Sequence, residues 1–178
     1  VIICSHARLT YSEMHEIVVD KNEKQREKYP DLLTHLDNLY KLYEFLHSNR
    51  KKEGLIDFSS IESRFIFNDE GKVDSIELIQ RNNAHRLIEE MMLIANIAAG
   101  EFIEKHTKNG IYRIHDIPKD EKLKDLNLLL SKLGLSLENR GKPTAKHYAS
   151  LVEKIRKRED GKMLETILLR SMPLAEYS

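Results

Sequence analysis

The chain has 178 residues, 33% of them charged and 40% apolar, with Lys+Arg and Asp+Glu balanced at 29 each. This is an ordinary globular balance, long enough for one domain with a sizeable core, and a second domain is not expected. Zero net charge speaks against a strongly basic, autonomous nucleic-acid binder; one cysteine excludes an intrachain disulfide; and no stretch approaches the ~18 apolar residues of a membrane span.

Val1 to Cys4 read as a short buried strand, with Cys4 a buried, inert thiol suited to a reducing compartment. No initiator Met and no basic region ahead of a long apolar run stand here, so the start is not a signal peptide. Both ends, the second at Ala175-Glu176-Tyr177-Ser178, read as cut from a longer chain. Thr10-Tyr11-Ser12-Glu13 has the form of a capping box, which predicts a helix to about Val19. The charged run Asp20 to Lys28 reads as a loop, and Pro30 suits the first turn of the next helix. Leu32, Leu33, Leu36, Leu39, Tyr40, Tyr43 and Leu46 or Phe45 recur at spacings of three and four, an amphipathic helix that ends near Gly54.

The period then changes. Arg64 to Phe67 and Val73 to Ile79 are β-rich runs around Asn68-Asp69-Glu70-Gly71-Lys72, a hairpin signal. Asp69 and Glu70 supply too few ligands at the right spacing for a calcium loop. Asn82 or Asn83 caps the longest helix, to about His106, with Ala84, Leu87, Ile88, Met91, Met92, Ala95, Ala98 and Phe102 as its apolar stripe. Ile111 to Ile114 reads as a strand, Pro118 introduces a helix over Leu123 to Leu133 closed by Gly134, and helices follow around Ala145 to Arg158 and Met163 to Ser171. The class is α+β, helix-dominated, with short antiparallel strands.

Most chemical motifs are missing. The eight histidines show no metal-ligand spacing, the glycines are too scattered for a phosphate loop, and the aspartates form no local cluster. One constellation remains on the long helix. Asn82, Glu89 and Asn96 lie seven apart and share a stripe, with His85 and Leu93 beside it. Such a stripe is either a wet groove facing a ligand or a solvated helix face. Glu90 lies about 100° round the helix and need not share the role of Glu89.

Four segments carry a resemblance: Ser5-His6-Ala7-Arg8-Leu9-Thr10-Tyr11; Arg81-Asn82-Asn83-Ala84-His85-Arg86-Leu87-Ile88-Glu89-Glu90 on through Met91 to Asn96; Tyr112-Arg113-Ile114-His115; and Arg170-Ser171-Met172 with Ala175 to Ser178. In this order they resemble the catalytic (RNB) domain of the ribonuclease II family across essentially the whole chain, the last two on its ribonuclease R branch. The resemblance implies part of a 3′-to-5′ exoribonuclease that releases nucleoside 5′-monophosphates processively from single-stranded RNA in the cytoplasm. It implies Mg²⁺ held by an upstream aspartate cluster, where divalent ions activate water and stabilise the phosphate's developing charge, and a downstream arginine motif. Both lie outside these residues, so no catalytic acid and no metal ligand is assigned here, and the segment alone is expected to be inactive.

Three positions match family residues that position RNA. Tyr11 matches a tyrosine that contacts nucleotides near the 3′ end. Phe58 matches an aromatic that packs on the terminal base. Glu89 matches a glutamate that works with that tyrosine on the ribose. A ring stacks on any base, and a carboxylate accepts a hydrogen bond from the 2′-OH that DNA lacks. Without the resemblance, Tyr11 and Phe58 read as packing residues. Two other classes stay open. A non-catalytic RNA-binding module would have no acid cluster upstream, and a helical protein-interaction domain would bind no RNA at any salt.

Overall fold

A computed structural model describes residues 2–58, 62–79, 81–107, 109–138 and 142–178. In chain order the elements are α1 (Tyr11–Val18), α2 (Glu23–Arg26), a 3-10 turn (Pro30–Leu32), α3 (Leu33–Glu53), β1 (Glu62–Phe67), β2 (Val73–Ile79), α4 (Asn83–His106), β3 (Arg113–Ile114), α5 (Asp120–Lys132), α6 (Ala145–Arg156), α7 (Gly161–Ser171) and β4 (Glu176–Tyr177). The helix-rich α+β expectation is met. The chain divides into two compact units, Val1–Ser48 with Ile61–Ala99, and Asn49–Ser60 with Gly100–Ser178.

In the first unit the predicted capping box forms. Thr10 Oγ1 accepts from the Glu13 amide at 3.2 Å, and the Glu13 carboxylate accepts from the Thr10 amide at 2.8 Å. The cap sets the phase of α1, so Met14, Ile17 and Val18 fall on one face and pack with Tyr43, Ala84 and Leu87. Ile17 and Leu87 are fully enclosed, each stabilising by about 1.5–3 kcal/mol. The expected loop from Asp20 to Lys28 contains a four-residue helix instead, because Asn22 caps it by accepting from the Gln25 amide. Arg26 then ties this turn down, donating to the Ile17 carbonyl at 2.9 Å and to both Asp37 carboxylate oxygens at 3.2 and 3.0 Å. Strands β1 and β2 form the predicted antiparallel hairpin, Glu62 opposite Ile79, with a bulge between Ile66 and Phe67. Asn68 holds the turn by accepting from the Glu70 and Lys72 amides.

The second unit is built on α5, α6 and α7. Leu123, Leu126 and Leu130 meet Leu151, Ile155, Leu164 and Leu168 in its core. Strand β3 pairs with β4, a strand that the sequence reading did not anticipate.

Three further expectations fail. The apolar start is no strand: Ile2 and Ile3 are exposed and without secondary structure, and Cys4 is exposed rather than buried. A strand needs a partner, and none of the described strands pairs with these residues. Val1 lies outside the described residues. The stripe on α4 is buried only over its first turns: Ala84 and Leu87 are enclosed, whereas Ile88, Met92 and Phe102 are about half exposed or more.

Candidate functional site

Tyr11 opens α1 and is 46% exposed. It lies flat on the His85 imidazole, with centroids 3.9 Å apart and planes 17° apart. Asn82 organises this stack. Its side-chain oxygen caps α4 by accepting from the Ala84 and His85 amides at 3.0 and 3.2 Å, and lies 2.7 Å from His85 Nδ1. Its side-chain amide donates to the Tyr11 carbonyl at 3.4 Å. One polar side chain thus fixes the start of α4, the imidazole and the backbone of Tyr11. A cavity of about 670 Å³ opens beside them, lined by Ala7, Arg8, Tyr11 and Ile88 among others.

Glu89 follows His85 by four residues, one helical turn on the same face. Its carboxylate is exposed and pairs through Oε2 with Arg81, just ahead of the helix. The other oxygen, Oε1, is the acceptor that remains. Glu90 points into the unit instead. It is 4% exposed, and its Oε1 lies 3.1 Å from Nδ1 of His47, whose ring stacks on Tyr43. The neighbouring acids therefore separate, one facing solvent and one inside, as the helical angle requires. Asn82 caps the helix rather than standing on its stripe, so the polar row shortens to Glu89 and Asn96.

Phe58 belongs to the second unit. It is half-buried, packs against the core of α5, α6 and α7, and lines a cavity of about 1030 Å³. Two anchors hold the segment that carries it. The Arg156 guanidinium donates to the Asp57 carbonyl and bonds the enclosed Glu165 carboxylate at 2.9 Å. Leu55 and Gly54 close α3 through amide bonds to the Arg50 and Lys51 carbonyls. Tyr11 and Glu89 thus share one unit, with His85 stacked on Tyr11 one helical turn before Glu89, while Phe58 stands in the other.

Among the described residues no group of three or more His, Cys, Asp or Glu side chains is arranged to hold a metal ion, so these residues do not fit a Mg²⁺ site. None of the described helices is long and apolar enough to cross a membrane. The reading from residues alone missed the Arg81 partner of Glu89 and the Tyr11–His85 stack. The only available signal was that His85 sits one turn from Glu89.

A model of the RNB domain matches residues 1–178. Ribonuclease R of Vibrio cholerae is 43% identical over 177 residues, covering 99% of this chain and 21% of that protein. Ribonuclease R of Escherichia coli is 44% identical over 176 residues, 99% of this chain and 22% of that protein. The chain therefore spans about a fifth of the length of these relatives. Among solved structures, Mycoplasma genitalium RNase R in complex with ribose-methylated single-stranded RNA superposes with a TM-score of 0.83 at 21% identity, covering 96% of this chain and 27% of that one. Its complex with double-stranded RNA gives 0.74 at 23% identity, over 80% of this chain and 26% of that one. At these identities the structures establish a shared fold.

Proposed function

The chain belongs to the RNB domain family, and from that premise we propose that it is the RNA-positioning part of a 3′-to-5′ exoribonuclease that degrades single-stranded RNA to nucleoside 5′-monophosphates. The observation that carries this reading is the 43–44% identity to ribonuclease R across 99% of the chain. Tyr11 offers an exposed, rigidly backed ring on which a base near the 3′ end stacks, worth roughly 1–3 kcal/mol without preference for sequence. Glu89 accepts from a ribose 2′-OH through its remaining oxygen, and Arg81 orients that carboxylate. Phe58 packs on the terminal base.

Mg²⁺, on this reading, is held by acids outside residues 1–178, so the segment alone positions RNA without cutting it. The intact protein is cytoplasmic on the same reading.

The test is hydrolysis of 5′-labelled single-stranded RNA with Mg²⁺ by this chain and by the full-length protein that carries it. Stepwise shortening of the labelled strand from its 3′ end by the full-length protein alone is the expected result. Hydrolysis by the 178-residue chain would mean that its own acids hold the metal. No hydrolysis by either would leave an RNA-binding module.

A further inference from the structure

The reading above uses Tyr11 and Glu89. It gives no role to His85, which lies against the first and one helical turn before the second. The obvious role for a histidine at this place is a helix cap. It stands third after Asn82, the position from which a side chain reaches back to the amide of the capping residue. The chain has a histidine that does this. His147 stands third after Thr144 at the start of α6, and its Nδ1 accepts from the Thr144 amide at 2.9 Å.

His85 departs from that pattern. Its Nδ1 is 3.3 Å from the Asn82 amide nitrogen but 2.7 Å from the Asn82 side-chain oxygen. That this atom is the oxygen follows from the Ala84 and His85 amides, which both donate to it. Two lone pairs do not approach so closely, so Nδ1 carries a proton and donates it to the oxygen. A protonated Nδ1 cannot accept from the Asn82 amide. The hydrogen bond therefore holds the imidazole by its edge, in the orientation that lays its face on Tyr11 at 3.9 Å and 17°. Tyr11 borders the cavity of about 670 Å³ beside the stack, and His85 does not.

We infer that His85 is a positioning residue for RNA, fixing the plane of the Tyr11 ring on which a base stacks and tying that ring to the helix that carries Glu89. The inference rests on the exoribonuclease reading for the base that Tyr11 takes. Its physical reason is entropic. Tyr11 is the first residue of α1 and nearly half exposed, so its side chain keeps rotamer freedom unless a neighbour removes it. The flat stack removes that freedom before RNA arrives, and a preorganised ring binds without the ordering cost. An aromatic pair is equivalent to about 2- to 10-fold in an equilibrium constant. Base stacking on Tyr11 itself is equivalent to roughly 5- to 150-fold.

Two substitutions separate stack from cap. Gln suits the third position of a capping box and has no ring, whereas Phe keeps a ring and has no polar atom. H85Q, H85F, Y11A and the double variant Y11A/H85Q are compared in the full-length protein. One readout is fluorescence anisotropy of a labelled single-stranded oligoribonucleotide in EDTA. The other is the length at which trimming of 5′-labelled RNA stops with Mg²⁺. H85Q should weaken binding by about 2- to 10-fold and move the end product toward that of Y11A. H85F should keep both at their wild-type values. The double variant should match Y11A, because His85 acts through Tyr11. Wild-type behaviour of H85Q, or H85F as impaired as H85Q, overturns the inference while Tyr11 keeps its place. So does a double variant weaker than Y11A by the full factor of H85Q, which would put His85 on RNA directly. Y11A with wild-type binding and end product removes Tyr11 from the site and the inference with it. No trimming by the wild-type protein would sink the exoribonuclease reading instead, and anisotropy would still decide the role of His85.

Discussion

Replacing Gly54 by Ala tests how the Phe58 segment is held, and Gly134 supplies the matching control. Both glycines end a helix in the same way. At Gly54 the backbone has φ +100°, its amide bonds to Lys51 O at 3.2 Å, and the next amide bonds to Arg50 O at 2.9 Å. At Gly134 the angle is +70°, with bonds of 3.3 Å to Ser131 O and 2.8 Å from Leu135 to Leu130 O. A side chain in this left-handed region costs about 1–2 kcal/mol, and the stiffer unfolded chain returns about 0.4–1 kcal/mol. The surroundings differ. A Cβ on Gly134 meets nothing within 4 Å, whereas one on Gly54 would sit 2.6 Å from Lys146 N and 2.9 Å from Lys146 Cα. Those are backbone atoms of the first turn of α6, whose Tyr148 and Leu151 are core residues, so relief requires moving the helix. Overpacking of this kind adds about 1–3 kcal/mol.

Gly134→Ala should therefore cost about 0.5–1 kcal/mol and Gly54→Ala about 2–4 kcal/mol. Thermal unfolding of the 178-residue chain followed by circular dichroism should show Tm falling by about 1–4 °C and about 5–15 °C respectively. Gly54→Ala should also weaken oligonucleotide binding, because Gly54 and Phe58 border the same cavity, while Gly134→Ala leaves binding unchanged. Equal losses of Tm in the two variants would refute the assignment of the extra cost to the Lys146 contact.

Three further outcomes are expected. Asp37 is held well below the usual carboxylate range, at about 2 against 3.8, by hydrogen bonds from Arg26 and then Lys21. Because its folded pKa is depressed, this stabilisation is complete above pH ~4 and is lost as pH falls through ~2. The shift sets a ceiling of about 2.5 kcal/mol, and partial exposure of the pair brings it to ~1 kcal/mol. Asp37→Asn should thus lower stability at neutral pH and match the wild type near pH 2 in urea titrations. Glu89→Ala in the full-length protein should, on the proposed function, relax discrimination between RNA and DNA more than it slows RNA cleavage; rates on matched substrates decide, and DNA excluded as before would remove Glu89 from ribose recognition. Tyr11→Ala should change the length at which trimming stops, seen on a sequencing gel, and an unchanged end product would take Tyr11 out of the site.

Elements governed by neighbours in the chain were readable without a structure. The capping box at Thr10 and Glu13, the Asn82 cap of α4, the Asn68 turn and Gly134 at the end of α5 each depend on groups within a few residues of one another, where stereochemistry leaves few choices. Periodicity was a weaker guide. It placed Ala84 and Leu87 on the buried face of α4 but could not say how far that face would be covered or that Glu90 would join it, because burial depends on what packs there. The opening Val1-Ile2-Ile3-Cys4 failed for a related reason: β-forming residues make a strand only where a partner edge exists.

What the sequence determined by itself was therefore the helix-rich class, most element boundaries and, through its four motifs, the family. What only the tertiary structure decided was company across distance. It set Tyr11 on His85, turned Glu89 outward and Glu90 toward His47, and paired Arg113 with Tyr177 so that two motifs border one basic cavity. Those partners lie tens of residues apart. Short-range spacing carries no information about such pairs, because they form only when burial of apolar side chains folds the chain back on itself.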